Sequence, residues 1–334
     1  MKNKIESDLY DLIEQLLESP LDINNAVLSD LKKIPLLDHK VAESIIEYRK
    51  KKGKIFSTSE LYEIENLSDE LVTIIKPFFH VEIDDPDKIF DEKPVQRKYK
   101  LYFRTRSSID IQQKIGIKSG KYTGSNLKNY NRLLINYRNN IKIGGLIEKD
   151  NGEQKYTDFY SFHFAGEDLL FFDKIIIGDY SVESGHGLVL WSPYSYSKSG
   201  YSPDNTIKSN RNLVNYRSSE ENNFFRGAAF RISYSNFSLT PFYSNHKMDA
   251  NINESTGKII SLPSSGLHRT SGEIDNKDRV TERVIGSRLD WRPYNFLNFE
   301  FLYANYRFNK NFESTNSYSL KENEINSYSF AYNA

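Results

Sequence analysis

Cysteine is absent from all 334 residues, which excludes disulfides and thiolate metal sites. Also missing is any apolar run near the ~20 residues of a membrane helix. The tightest apolar clusters are Leu169 to Phe172 and Ile175 to Ile177. Met1 to Ser19 lacks the continuous apolar core and small-residue cleavage site of a secretory signal. No phosphate-cradling loop ending in Lys-Ser/Thr and no Gly-x-Ser-x-Gly elbow occurs. The six histidines (His39, His80, His163, His186, His246, His268) stand at no metal-ligand spacing. These absences predict a protein that is not an enzyme and carries no metal or cofactor.

What is present divides the chain in two. Residues 1–97 hold 14 basic and 21 acidic side chains, and the remainder 31 and 24. Unequal charge predicts segments with different surroundings. Leu9, Leu12, Ile13, Leu16 and Leu17 fall at helical spacing and stop near Pro20. Leu28, Leu31 and Ile34 predict a second helix begun by Asn24 or Asn25. Val41, Ala42, Ile45, Ile46 and Tyr48 predict a third, capped by Asp38 and ended by Gly53. Ser57 and Glu60 have capping-box spacing before a helix around Leu61 and Ile64. Ser68 or Asp69 opens the last helix, which is expected to stop at Pro77. Short helices joined by four-residue connections thus occur twice.

With this repeat, residues 21–81 resemble the tandem helix-hairpin-helix module of competence-type DNA-binding proteins. Ile23-Asn24-Asn25-Ala26, Tyr48-Arg49, Gly53 and Lys76-Pro77 carry the resemblance. In that family a Gly-hydrophobic-Gly turn lets backbone N–H groups meet a DNA phosphate at a helix N-terminus. Here the turns read Pro35-Leu36-Leu37-Asp38 and Glu65-Asn66-Leu67-Ser68, with every glycine replaced. The resemblance nominates Leu36, Asp38, His39, Lys40, Asn66 and Ser68 as nucleic-acid contacts. Arg49, Lys50, Lys51, Lys52 and Lys54 are nominated as a phosphate-tracking patch, or alternatively as cations that complement a helix C-terminus. Residues 20–80 hold nine bases against ten acids, which favours an adaptor over a DNA clamp.

Residues 82–97 contain two prolines and six acids, and read as an acidic linker. From residue 98 the period changes to two. Tyr99, Leu101, Phe103 and Thr105 alternate with Lys100, Tyr102, Arg104 and Arg106. Leu133 to Tyr137 is expected to turn at Asn139-Asn140 into Ile141 to Ile147, and Phe230 to Tyr234 at Ser235-Asn236 into Phe237 and Leu239. Ile285 to Trp291 is expected to turn at Pro293 into Leu297 to Tyr303. Hairpins of this kind predict an antiparallel sheet over 98–334. Long polar connections are expected at 192–223 and 245–278, as extracellular loops or a lumen plug.

Strand length, alternation and 44 Tyr and Phe residues point to a transmembrane β-barrel. The stretches Gly178-Asp179-Tyr180, Gly185-His186-Gly187, Leu190-Trp191 and Phe224-Phe225-Arg226-Gly227 resemble the barrel part of outer-membrane proteins with an N-terminal helix-hairpin-helix domain. About ten or eleven strands with no closing partner, ending at Ala334, predict a barrel truncated in this sequence; an export signal is likewise expected outside it. The fold class expected is therefore α + β: an all-α module at 1–81 and an antiparallel barrel portion at 98–334. The function expected is a non-enzymatic outer-membrane barrel protein whose periplasmic module docks DNA or a periplasmic protein. The barrel's own partner is then outer-membrane lipid. The alternative is a soluble periplasmic or extracellular β-sandwich that binds a ligand such as glycan through its long loops. Alternation further predicts that Phe299 faces lipid and that Glu300→Lys, on the polar face, is tolerated.

Overall fold

The computed structural model describes residues 13, 16, 17, 20–24, 26, 28–31, 34, 36–81, 99–138, 140–192, 211–294, 297–313 and 322–333. The chain forms two compact units; the described residues up to Val81 belong to the first and those from Tyr99 onward to the second. The acidic linker and most of the first expected helix lie outside the described residues.

In the first unit, β1 (Leu21–Asp22) pairs in parallel with β2 (Phe79–His80), which joins its two ends. Between them come α1 (Leu28–Leu31), α2 (His39–Lys52), a 3-10 turn (Thr58–Glu63) and α3 (Asp69–Ile75). Asp38 caps α2, accepting the Val41 amide proton at 2.8 Å. Gly53, at φ 89°, ends that helix, where a Cβ would be strained. Ser57 and Glu60 complete a capping box as expected, but the segment they open is 3-10, not α. α3 ends at Ile75, just before Pro77 as expected, and a 3-10 turn, Lys76–Phe78, follows. Ile23, Leu31, Ile34, Ala42, Ile45, Ile55, Leu61, Val72 and Ile75 fill one core, with Leu16 of the expected first helix buried in it.

The second unit is one antiparallel sheet. Its strands are β3 (Tyr99–Ile109), β4 (Leu127–Tyr137), β5 (Ile141–Lys149), β6 (Phe159–Leu169), β7 (Phe172–Val182), β8 (Leu213–Asn215), β9 (Phe225–Tyr234) and β10 (Phe237–Met248), followed by three more. A small hairpin, β11 (Asn251–Ile252) with β12 (Ile259–Ser261), precedes β13 (Val280–Tyr294), β14 (Leu297–Phe308) and β15 (Glu324–Asn333). Neighbours in the main sheet run β15-β14-β13-β10-β9-β7-β6-β5-β4-β3, with β8 added at the end of β7. Among the described residues β3 and β15 each pair on one side only, so no ring closes. A β-sandwich would need a second large sheet; the described residues form one.

Two corrections concern boundaries. Pro293 lies within β13, which runs to Tyr294, and is not the turn into β14. The second long connection begins after Met248, later than expected, because β10 runs the full length of β13. The connections then alternate strictly. The strand pairs β4/β5, β6/β7, β9/β10 and β13/β14 follow one another closely at one end of the sheet, and the longer connections leave the strands at the other.

The faces are inverted relative to a water-soluble sheet. Even positions of β13 (Val284, Gly286, Arg288, Asp290) are buried, while Ile285 and Trp291 are exposed. The register continues this pattern, so that Trp291, Phe299 and Tyr332 share one row and Leu289, Phe301 and Phe330 the next, with Phe299 and Leu289 half-buried and the others exposed. Covering the other face are the described parts of the β7–β9 connection. Leu190 and Leu213 pack there with Ile176, Ala229, Phe242, Val284, Leu302 and Ala304. This covered side is called the inner face below.

Candidate functional site

Both turns of the helical unit are built alike. Leu36 (φ 76°) and Asn66 (φ 70°) take the left-handed conformation that glycine supplies most cheaply. For Leu36 this costs about 1 kcal/mol, and its side chain is 66 % exposed. Leu37 and Leu67 then turn into the core. Asp38 and Ser68 follow as caps, the Ser68 hydroxyl accepting the Leu71 amide proton at 3.2 Å. At each helix start a side-chain oxygen therefore holds an amide that a phosphate would otherwise meet. Asp69 and Glu70 add two carboxylates to the first turn of α3.

The basic run is largely committed elsewhere. Arg49 donates from Nη1 to the carbonyls of Ile23 (3.0 Å) and Ala26 (2.9 Å), tying α2 to the start of the unit. Lys52 reaches the Tyr48 hydroxyl at 2.8 Å, Glu60 at 3.0 Å and Glu63 at 3.2 Å. The Tyr48 contact and the two carboxylates raise its pKa. His39 pairs with Glu43 at 3.1 Å, and Asn66 donates to Ser44. Lys40, Lys50 and Lys51 are exposed, and Lys54 is half-buried. The helix C-terminal cations thus divide into Arg49 and Lys52, tied to neighbouring groups, and the exposed Lys50 and Lys51. Spacing carried no sign of which was which.

Residues 18–80 match the helix-hairpin-helix motif family. No curated protein and no solved structure matches the chain. The match lies wholly in the first unit, so it speaks for the helix-hairpin-helix unit and not for the sheet.

On the sheet's inner face, ionic groups are buried in pairs. Arg288 Nη2 lies 2.6 Å from Asp290 and 2.8 Å from Glu300, all three nearly excluded from solvent. Glu300 also accepts from the Ser184 hydroxyl (2.5 Å) and the Gly185 amide, and Arg288 donates to the Glu183 carbonyl at 2.5 Å. The Glu183 carboxylate is held by Arg211 and by Ser192 at 2.7 Å. These bonds latch the β7–β9 connection to β13 and β14. Glu300→Lys, expected to be harmless, would break the latch; alternation had placed Glu300 on the polar side but could not show the side was filled.

The Gly178 and Arg226 stretches have a structural role. Gly178 (φ 103°) takes a backbone conformation that glycine allows, and a Cβ there would lie 2.2 Å from the Phe162 carbonyl. Beyond it β6 and β7 no longer pair. Asp179 instead accepts the Phe162 amide proton at 3.0 Å, while Arg226 binds Asp179 at 2.7 Å and the Tyr160 carbonyl at 2.8 Å. One ion pair replaces the missing ladder.

In the long connections, Glu153, Asp158 and His268 offer ligand atoms within 4.8 Å of one another. Sequence spacing hid this group, because His268 is more than a hundred residues from its partners. Its polar atoms are already taken up. His268 lies between Asp158 (2.5 Å) and Asp249 (2.7 Å), and Lys277 reaches Asp158 at 2.9 Å. Glu153 accepts the His268 and Asp150 amide protons. Burial alone would lower the His268 pKa, but the two carboxylates outweigh it and raise the value to about 10. Burial, with Glu153 and Asp158 nearby, pushes Glu221 to about 9. The imidazole is thus a cation at neutral pH, which suits an ion cluster and not a metal ligand.

A pH dependence follows. Both folded-state values lie above the unfolded ones, so the stability these groups contribute is full below the unfolded pKa and is lost as pH rises through the folded one. For His268 the loss begins above the unfolded value of 6.5 and is complete near 10. The Tm gap between the wild type and His268→Gln should therefore be open at pH 7 and closed by about pH 11. A gap unchanged across that range would refute the buried imidazolium.

Proposed function

We propose that the second unit is wall of an outer-membrane β-barrel, with its bare face to lipid, and that the helix-hairpin-helix unit is a non-enzymatic adaptor on the periplasmic side. The observation that carries this reading is the inversion of the sheet. Leu101 and Phe103 are each 65 % exposed and Phe330 57 %, while Arg288, Asp290 and Glu300 are 2–4 % exposed. Water would favour the opposite arrangement, since apolar surface costs about 25 cal/mol per Å². Lipid favours this one.

Dimensions support it. Apolar rows run from Trp291 to Ile285, and the row beyond is Arg283, Arg307 and Glu324. Eight residues separate Trp291 from Arg283, about 27 Å along the strand at ~3.4 Å per residue. Tilted by ~40°, that length spans about 21 Å across the membrane, somewhat under the ~25 Å apolar band of outer-membrane barrels. The stacked rings of Phe237, Trp291 and Phe299 lie toward the short-turn end, where an interface girdle belongs. Because Tyr99 pairs with Tyr137, the chain enters the sheet at that same end. Short turns face the periplasm in such barrels, which supports a periplasmic helix-hairpin-helix unit.

The deciding experiment is fractionation of the full chain with detergent extraction and unheated electrophoresis. Recovery with membranes and heat-modifiable migration are expected. A chain recovered in the soluble fraction without detergent would end the membrane reading.

For the adaptor, capped helix starts and carboxylates at Asp38, Asp69 and Glu70 favour a protein partner over DNA. Residues 1–81 alone should bind duplex DNA weakly, with affinity falling steeply in salt because only counterion release supports it. Glycine at 36, 38, 66 and 68 should raise that affinity without adding a side-chain contact. Salt-resistant, submicromolar binding by the unaltered unit would make DNA its partner.

A further inference from the structure

Three acceptor oxygens converge on one amide nitrogen where β3 ends, β4 begins and β5 ends. Asn151 is 7 % exposed. Its Nδ2 lies 3.3 Å from Asp110 Oδ2, 2.9 Å from the Asn126 carbonyl and 2.5 Å from Asn126 Oδ1. An amide nitrogen has two protons to give, one fewer than the acceptors it faces. Meanwhile Asn151 Oδ1 is buried with no hydrogen-bond partner among the described residues, an orphan that folded proteins rarely keep. Asn126 cannot turn to relieve this, because its own Nδ2 donates to the Asp110 carbonyl at 2.5 Å. Main-chain bonds fix the frame around them. The Gly152 amide donates to the Ser125 carbonyl at 2.8 Å, and the Gly124 amide to the Gly152 carbonyl at 3.0 Å.

We propose that Asp110, Asn126 and Asn151 form a calcium site. Turning the Asn151 amide end for end puts Oδ1 where Nδ2 now stands. Asp110 Oδ2, Asn126 O, Asn126 Oδ1 and Asn151 Oδ1 then face one another, and only a cation can hold them there. Oxygens that share a calcium ion at about 2.3–2.6 Å stand roughly 3 Å from one another. The distances of 2.5–3.3 Å from the amide nitrogen have that spacing. A carboxylate, a carbonyl and two side-chain amides are the oxygen donors of a hard cation, with no nitrogen or sulfur to favour a transition metal. Water completes the shell at the exposed Asp110. Lys114, 3.9 Å from Asp110 Oδ2, is itself exposed and free to swing into solvent, while Asp150 is engaged by Lys128. With a single carboxylate, the site belongs in the weak class with Kd about 0.1–1 mM. Bound calcium would staple the end of edge strand β3 to β4 and β5. The inference rests on these side chains and not on the membrane assignment.

The test titrates the full chain with calcium chloride, and in parallel with magnesium chloride, by calorimetry and thermal melting. Calcium at ten times Kd should raise Tm by about 3 °C or more. No binding up to about 10 mM calcium overturns the proposal, since that is roughly ten times the weakest Kd of this class. Equal affinity for magnesium, which demands shorter bonds and octahedral geometry, would mark general charge screening and also overturns it. Asp110→Asn, at an exposed position, should weaken calcium at least about tenfold and leave the calcium-free Tm unchanged. Asn151→Asp tests the turned amide: it should lower the calcium-free Tm and bind calcium about tenfold more tightly. If that variant folds and binds no tighter, Asn151 is a hydrogen-bond donor only and the proposal fails. Should it fail to fold without calcium, Asp110→Asn decides, with Asp249→Asn beside it. Asp249→Asn, in the His268 cluster, should leave calcium binding as it is. Binding lost in that variant and kept in Asp110→Asn would put the ion at His268 and end the proposal. Calcium binding by a chain found soluble would keep this inference while ending the membrane one.

Discussion

Glu300→Lys should prevent stable assembly of the sheet unit. The substitution removes the carboxylate that Arg288, Ser184 and Gly185 share, and sets a cation against Arg288 in a nearly solvent-free site. Breaking a buried pair by removing one partner typically costs about 3–5 kcal/mol; Asp290 stays beside Arg288, which sets the loss of Glu300 alone toward the low end of that range. Reversal adds repulsion to that loss. Since whole domains are stable by only about 5–15 kcal/mol, the variant should show a greatly lowered urea midpoint or no folded band. Glu300→Gln, which keeps an oxygen for Ser184 and Gly185, should fall between the two. A lysine variant with the wild-type midpoint would mean that the β7–β9 connection is not held by this residue.

Phe301→Arg, one residue away, should act through the surroundings instead of through packing. Phe301 is 44 % exposed and meets the Phe330 ring at 5.0 Å. In water, an exposed substitution of this kind usually changes stability by no more than about 0.5 kcal/mol. Near the middle of a lipid-facing band an arginine costs about 2–4 kcal/mol. Refolding into bilayers followed by urea titration should therefore show a loss several times larger than Arg307→Leu at the charged row. Equal, small effects would place the bare face in water, and the exposed rows would then need a protein to cover them.

The local signals were read correctly where a few neighbouring residues decide the outcome. Asp38 caps α2, Gly53 ends it, and Ser57 with Glu60 closes a box, each within four residues of its partner. Alternation likewise placed the hairpin at Ser235-Asn236 and assigned Leu289, Trp291, Phe299 and Phe301 to one face. It failed at Pro293, a turn former by propensity that β13 accommodates near its end.

Residue periodicity by itself determined the two units, the strand faces and the helix starts, because these follow from hydrogen bonds and side-chain directions repeated over short spans. Only the tertiary structure decided what each charged residue does. Arg49 belongs to the fold because it reaches carbonyls 23 and 26 residues back. Glu300 is a latch because residue 184 returns to it across 116 positions. Glu153, Asp158 and His268 are a cluster because two loops converge at one end of the sheet. Such contacts depend on strand order and on where a long connection folds back, and nothing within a window of neighbouring residues encodes either.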